Sequence, residues 1–429
     1  MEAKDFALDL IDFLDRGSSS FQAVDVISRE LEEKGYKELK GNEKWDLKEG
    51  DKAYYKKNGS SVFAFSIGCG GYGEGFKLIG SHSDSPSFRI KPDPEMWEEG
   101  FLKLNTEVYG GPILSTWFDR PLSMAGRVAI KSENPLKPEL INVDFKKPIL
   151  YIPNLAIHMN REVNKGVEID RQKHILPILT LSDEKTDELM IKNLIAEECG
   201  RNAEDILDYD LFIYETQKGE IIGLKDEFIS SKRMDNLAMA HASLRALTSC
   251  GEHTGINLTA VYDNEECGSS TKQGAGSPVL AELLERIVIS MGGDREAFLR
   301  SLESSFLISA DLAHAVHPNY KDQHDPTNRP HMGKGPVIKI SANMKYTSDA
   351  DSSSVFMSLC EKAGVPCQMF VNRSDKPGGS TIGPISSTQL PIRSVDIGNA
   401  ILGMHSVREM GAVEDHLSTY KAFRVFFEI

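Results

Sequence analysis

Residues 256–270 read INLTAVYDNEECGSS. The run from Ile256 to Tyr262 is apolar and rich in strand-forming side chains, and it passes directly into Asp263, Glu265 and Glu266. A short apolar run bounded by polar residues predicts a buried β-strand. Carboxylates crowded at its exit repel one another, an arrangement that is costly unless cations compensate. The stretch therefore predicts a strand of a covered sheet whose C-terminal end carries chemistry.

The same pattern recurs along the chain. FKLIGSHSD (76–84), SFLISADLAHA (305–315), CQMFVNRSD (367–375) and IRSVDIG (392–398) each begin apolar and end polar. Helical stretches such as NLAMAHASLRALTS (236–249) and SPVLAELLERIVISM (277–291) lie between several of them. Alternation of this kind predicts an α/β fold, a mostly parallel sheet with helices on both faces. Open sheets of that class bind ligands at the C-terminal ends of their strands, where the polar residues fall.

From about Lys91 to Phe228 the pattern shifts to Pro- and Gly-rich, short alternating segments such as VYGGPILSTWFDRP and KPILYIPNL. This predicts an inserted, mainly β domain at 91–228, splitting a catalytic α/β domain formed by 1–90 and 229–429. A chain of 429 residues exceeds the usual single core, in keeping with two domains.

Charge narrows the partners. The 64 acidic against 49 basic side chains leave a net charge of −15, which repels phosphate backbones and anionic lipid, so neither nucleic acid nor membrane is expected. MEAKDFALDLIDFLDRG at the N-terminus has helical periodicity with interspersed acids, unlike a signal peptide. The six cysteines form no Cys-x-x-Cys pair, which fits a reducing, cytoplasmic setting.

Several residues at predicted strand ends have the side chains a metal site needs. His82 and Asp84 are spaced so that the carboxylate can accept an imidazole N–H and fix which ring nitrogen faces a metal. Asp235 precedes a helix, where it can cap backbone donors or bridge two cations. Glu266 can bind a metal while Glu265 faces the water on it. Asp311 ends another strand, and His405 follows the last. His82, Asp235, Glu266, Asp311 and His405 combine carboxylates with imidazoles, a set suited to zinc, with cobalt or manganese as substitutes. Neither His-Glu-x-x-His nor Gly-x-Ser-x-Gly occurs in the sequence, which argues against those single-zinc and serine hydrolases. His314, His317, His324 and His331 fall in one segment whose prolines and charges suggest an irregular loop instead of a further zinc site.

The segments SHSDSP, YGGPILSTWFDRPLSMAGRV, IPNLAIHMNREVN, SSKRMDNL, YDNEECGSSTKQGAGSP, DLAHAVHPNYKDQHDPTNRPHMGKGPVIK, PGGSTIGPI and LGMHSVREM, in this order, resemble the aspartyl aminopeptidases, dinuclear zinc exopeptidases. The resemblance implies two zinc ions per subunit bridged by Asp235, with His82 and Asp311 completing one site and Glu266 and His405 the other. It implies Glu265 as general base and a cis peptide between Asp235 and Asn236. It also implies a homododecamer built from dimers through the inserted domain, with His158 reaching a neighbouring subunit's active site. A three-histidine zinc site using His82, His158 and His405 is the competing assignment.

The implied substrates are short peptides with an acidic N-terminal residue. Lys345 is the candidate cation for that side chain, and the glycines around Gly379 allow close backbone approach. The chain has Asn343 where some members carry a basic residue, so neutral N-terminal residues stay open. A deacylase or carboxypeptidase on the same sheet, or an inactive scaffold, is the remaining alternative.

Overall fold

The computed structural model describes residues 2–182 and 190–429. The chain divides into two compact units. One comprises Met1–Asp84, Gly219–Met404 and Glu409–Ile429; the other comprises Ser85–Lys218 and His405–Arg408.

The first unit is built on a nine-stranded sheet, in the order Lys37–Glu38, Lys52–Lys57, Ser61–Ile67, Ile256–Tyr262, Phe76–His82, Phe306–Ala310, Arg393–Gly398, Val337–Ile340, Gln368–Val371. The central strands from Ile256–Tyr262 to Arg393–Gly398 are parallel throughout. Antiparallel pairs occur towards either side, at Ser61–Ile67 and Val337–Ile340.

Successive strand side chains face opposite sides of a sheet, and the two cores follow that rule. Val62, Ala64, Ile79, Val261 and Ile308 pack with the helices Ala3–Arg16, Ser20–Glu33, Met234–Ser249 and Val413–Glu428. Phe63, Phe65, Leu78, Leu258 and Leu307 pack with Val279–Ser290 and Arg295–Glu303 on the other face. With both faces covered, the central strands need no polar alternation, which is why they read as apolar runs. Truncating a fully buried aromatic such as Phe63 to Ala would cost about 3–5 kcal/mol.

The N-terminal helices form as their sequence suggests. Ser19 caps Ser20–Glu33 by accepting the Phe21 N–H, and Gly35, at φ 82°, provides the left-handed turn just beyond its end. Among the described residues, no helix is long and apolar enough to cross a membrane.

The second unit is a six-stranded antiparallel sheet, in the order Glu139–Asp144, Leu122–Ile130, Ile206–Glu215, Ser87–Glu98, Phe101–Tyr109, Ile178–Leu181. Its core includes Phe88, Trp117, Met124 and Leu211, together with Ile191 and Ile195 of the helix Met190–Cys199. The change of composition at Lys91 falls inside the Ser87–Glu98 strand, later than the junction at Asp84. At the other junction the first unit resumes at Gly219 with the hairpin Glu220–Ile222/Phe228–Ser231. That hairpin has the same short-strand composition as the insertion, so sequence alone extends the insertion to Phe228.

Candidate metal centre

Ile256–Tyr262, Phe76–His82 and Phe306–Ala310 are adjacent parallel strands, so their C-terminal ends lie on one edge of the sheet. His82 closes its strand opposite Tyr262. Asp311 follows Ala310, and its N–H donates to the Ile397 carbonyl at 2.8 Å. The approach is close: a Cβ on Gly398 would lie 1.8 Å from the Asp311 carbonyl oxygen, so only glycine fits there.

Asp235 arrives from another direction. It and Asn236 have non-helical backbone angles within the span Met234–Ser249, and the peptide between them is cis, as the resemblance implied. The Asp235 N–H donates to the Glu409 carboxylate at 2.9 Å, and the Asn236 amide donates to the Ala310 carbonyl at 2.8 Å. Asp235 is thereby tied to the strand that delivers Asp311.

Glu265 and Glu266 sit in the one-turn helix Glu265–Cys267, entered through a left-handed Asn264. Asp84 fixes that turn. Its Oδ1 accepts the Glu265 N–H at 3.2 Å and its Oδ2 accepts the Glu266 N–H at 3.1 Å. His82 Nδ1 lies 3.1 Å from the Asp84 carbonyl and 3.3 Å from Asp84 Oδ1. One aspartate thus orients the imidazole and the acidic turn together, leaving His82 Nε2 to face the other carboxylates.

Around that Nε2 lie Asp235 Oδ1 and Asp311 Oδ1, each at 3.6 Å, and Glu265 Oε2 at 3.8 Å. Such distances are too long for hydrogen bonds. The 3.6 Å separations of Asp235 and Asp311 match the edge of a coordination tetrahedron, about 3.3–3.6 Å for bonds of about 2.0–2.2 Å, whereas Glu265 at 3.8 Å lies just beyond it. Atoms of His82, Asp235 and Asp311 converge to within 4.8 Å of one another, as do those of His82, Glu265 and Glu266. Buried carboxylates and an imidazole at these separations fit a zinc-type donor set in both chemistry and spacing.

The electrostatics are those of crowded anions. Burial, reinforced by Asp311, Asp84 and Asp235 and opposed by His82, pushes the Glu265 carboxyl up to about 8. Burial and the charge of Asp84 raise Asp263 to about 7. Burial disfavours a charged His82, but Asp311 and Asp84 outweigh it and hold the imidazole well above its ordinary value. Burial likewise opposes ionisation of Asp311, and Lys339 with His82 overcomes it to keep that carboxyl low.

His405 opens the short stretch grouped with the second unit; its backbone is left-handed, at φ 66°, and its Nδ1 lies 3.1 Å from the Gly111 carbonyl. His158 is exposed on a turn of the second unit. Lys345 and Gly379 are exposed in two loops of the first unit, joined by a hydrogen bond from Ser380 Oγ to the Lys345 carbonyl at 3.3 Å. Among the described residues, the groupings able to hold an ion do not include His314, His317, His324 or His331.

Sequence reasoning missed Lys339 and Asp396. Lys339 is buried against Asp311, and the available signal was a lysine in an otherwise apolar strand, PVIKI. Asp396 is fully buried. It accepts hydrogen bonds from Ser309 Oγ, from Thr347 N and Oγ1 at 2.6 and 2.9 Å, and from Thr381 Oγ1 at 2.6 Å. It therefore anchors the segments carrying Lys345 and Gly379 to the sheet, a role that long-range contacts alone disclose.

A covered α/β sheet with an acid-and-imidazole cluster at its parallel strand ends defines a metal-dependent hydrolase. The family described as "Aminopeptidase I zinc metalloprotease (M18)" matches residues 13–427. A "Probable M18 family aminopeptidase 2" of Clostridium novyi is 56% identical, over 99% of both chains. Among solved structures, a cryo-EM structure of the Ape4 and Nbr1 complex is similar with a TM-score of 0.95 and 34% identity, covering 99% of this chain and 86% of that one. A structure of the S. cerevisiae mApe1 dodecamer has a TM-score of 0.85 and 26% identity, covering 99% and 96%. The chain belongs to the M18 family of zinc metalloaminopeptidases.

Proposed function

We propose that this aminopeptidase removes single residues, preferentially Asp or Glu, from the N-termini of short peptides, using two zinc ions per subunit. The observation that carries the reading is the set of carboxylate oxygens from Asp235, Asp311 and Glu265 at 3.6–3.8 Å around His82 Nε2. Asp235 would bridge the ions, His82 and Asp311 would complete one site, and Glu266 and His405 the other. When bound, such a pair supplies an acidified water and an electrophile for the scissile carbonyl.

Glu265 is the general base. Burial and the neighbouring carboxylates make it a stronger base than a free glutamate. It accepts a proton from the attacking water and delivers it to the leaving amine. Lys345 pairs with an acidic side chain at the substrate N-terminus, and the backbone at Gly379 passes close to the peptide. By extension from the dodecameric relative, the chain assembles as a homododecamer of dimers, with the second unit supplying the dimer contact and His158 the neighbour's active site.

A dipeptide panel varied at the N-terminal residue, with and without N-acetylation, tests this reading. Acidic N-termini should give the highest kcat/KM, and acetylation should abolish cleavage. Equal cleavage of acetylated peptides would instead identify a deacylase or carboxypeptidase, told apart by whether acetate or the C-terminal residue is released, and a preference for neutral residues would remove Lys345 from its role. Elemental analysis of the active protein should return two metals per chain.

A further inference from the structure

Lys339 is 2% exposed in the strand Val337–Ile340, next to the buried apolar residues Val337 and Ile338. A buried ammonium costs several kcal/mol unless it is paired. This one donates to the Leu312 carbonyl at 2.8 Å and lies 3.4 Å from Asp311 Oδ2 and 5.5 Å from the centre of the Tyr346 ring. Its polar contacts thus fall on consecutive residues, one with the Asp311 side chain and the other with the backbone just after it. The other Asp311 oxygen, Oδ1, lies 3.6 Å from His82 Nε2. The two oxygens of one carboxylate are therefore committed in different directions.

We propose that Lys339 is a positioning residue that sets metal selectivity: by retaining Oδ2 it leaves Asp311 to offer Oδ1 alone. This rests on the reading of Asp311 as a metal ligand. A carboxylate offering one oxygen suits the low coordination number of zinc, whereas one free to turn and offer both suits larger, oxygen-preferring ions such as manganese.

Removing Lys339 has two effects of opposite sign. Loss of a nearby positive charge favours any dication, whereas loss of orientation weakens zinc in particular. The Coulomb effect is alike for two dications and cancels in the ratio of their affinities, so that ratio reports orientation.

The full-length protein, stripped with a chelator, is dialysed against buffered zinc and manganese together, and bound metal is read by elemental analysis. Relative to the unaltered protein, Lys339→Met should shift the manganese-to-zinc affinity ratio towards manganese by about tenfold or more. Asp311→Asn should lose the zinc of the site that Asp311 completes, one of the two per chain. An unchanged ratio in folded Lys339→Met, beside zinc loss in Asp311→Asn, overturns the role of Lys339 and leaves the metal centre intact. Unchanged zinc in Asp311→Asn overturns the reading of the centre, and the proposal with it. If Lys339→Met does not fold, Lys339→Gln, which keeps a donor for the Leu312 carbonyl, is read by the same ratio, and no shift there overturns the proposal equally.

Discussion

Asp84 accepts the amide N–H of Glu266 at 3.1 Å. The same carboxylate accepts the Glu265 N–H, at 3.2 Å, and lies 3.3 Å from His82 Nδ1. In Asp84→Asn an amide NH2 would replace one of two oxygens that both accept, setting donor against donor at the acidic turn. Metal affinity or kcat should fall about 10- to 100-fold. Chelator competition together with steady-state kinetics checks this, and wild-type values in both would show that the turn holds its shape without Asp84.

Replacing Glu265 by Gln keeps size and polarity but removes the base. The proposed mechanism expects kcat to drop by roughly 10² to 10⁴ while both metals stay bound. Loss of a metal in Glu265→Gln would make Glu265 a ligand, a role its 3.8 Å approach to His82 Nε2 would also allow.

The strand ends at His82, Asp311 and Tyr262 were legible because each is local: apolar residues lead directly into polar ones, and a covered parallel sheet does the rest. Lys339 and Asp396 were not. Their partners lie far along the chain, Asp311 in one case and Ser309, Thr347 and Thr381 in the other. No spacing rule connects such positions. The start of the second unit was blurred for a different reason, since the Ser87–Glu98 strand begins before the composition changes.

Asp396 gives a prediction for the loops. Asp396→Ala would strip the acceptor from Thr347 and Thr381, leaving buried donors unsatisfied, and should destabilise the protein by about 3 kcal/mol or more. Since those segments carry Lys345 and Gly379, KM for acidic substrates should rise more than kcat falls. Urea unfolding and kinetics measure the two effects separately.

Acid sensitivity should come in part from a second buried cluster. His416 Nε2 lies 2.9 Å from His241 Nδ1, and His241 Nε2 lies 3.0 Å from Asp9 Oδ2. Burial, opposed by Asp9, lowers the His241 pKa; burial and the adjacent His241 lower that of His416 much further. Both rings stay neutral in the fold, whereas the unfolded chain protonates them below about 6.5. Stability is therefore complete above that pH and falls below it, by up to about 1.4 kcal/mol per pH unit for each histidine. Urea midpoints between pH 7 and 5 should show the decline, with a shallower slope in His416→Gln; an unchanged slope would exclude His416 as a contributor.

The assembly prediction concerns His158, exposed on the second unit and proposed to serve a neighbouring subunit. Glu265→Ala and His158→Ala should each be nearly inactive alone, the first for want of a base and the second for want of the group supplied in trans. If the two variants are coassembled in equal amounts, a site is complete only where its own chain keeps Glu265 and its partner keeps His158. Each condition holds for half the chains, so random pairing should restore about one quarter of wild-type activity by symmetry. Were His158 to act within its own chain, every site would lack one group or the other, and no mixture could assemble a complete one. Native mass spectrometry establishes that the particles have mixed, and activity is then read on the same sample. Activity equal to the sum of the two variants in mixed particles would place His158 in its own chain's site or in none.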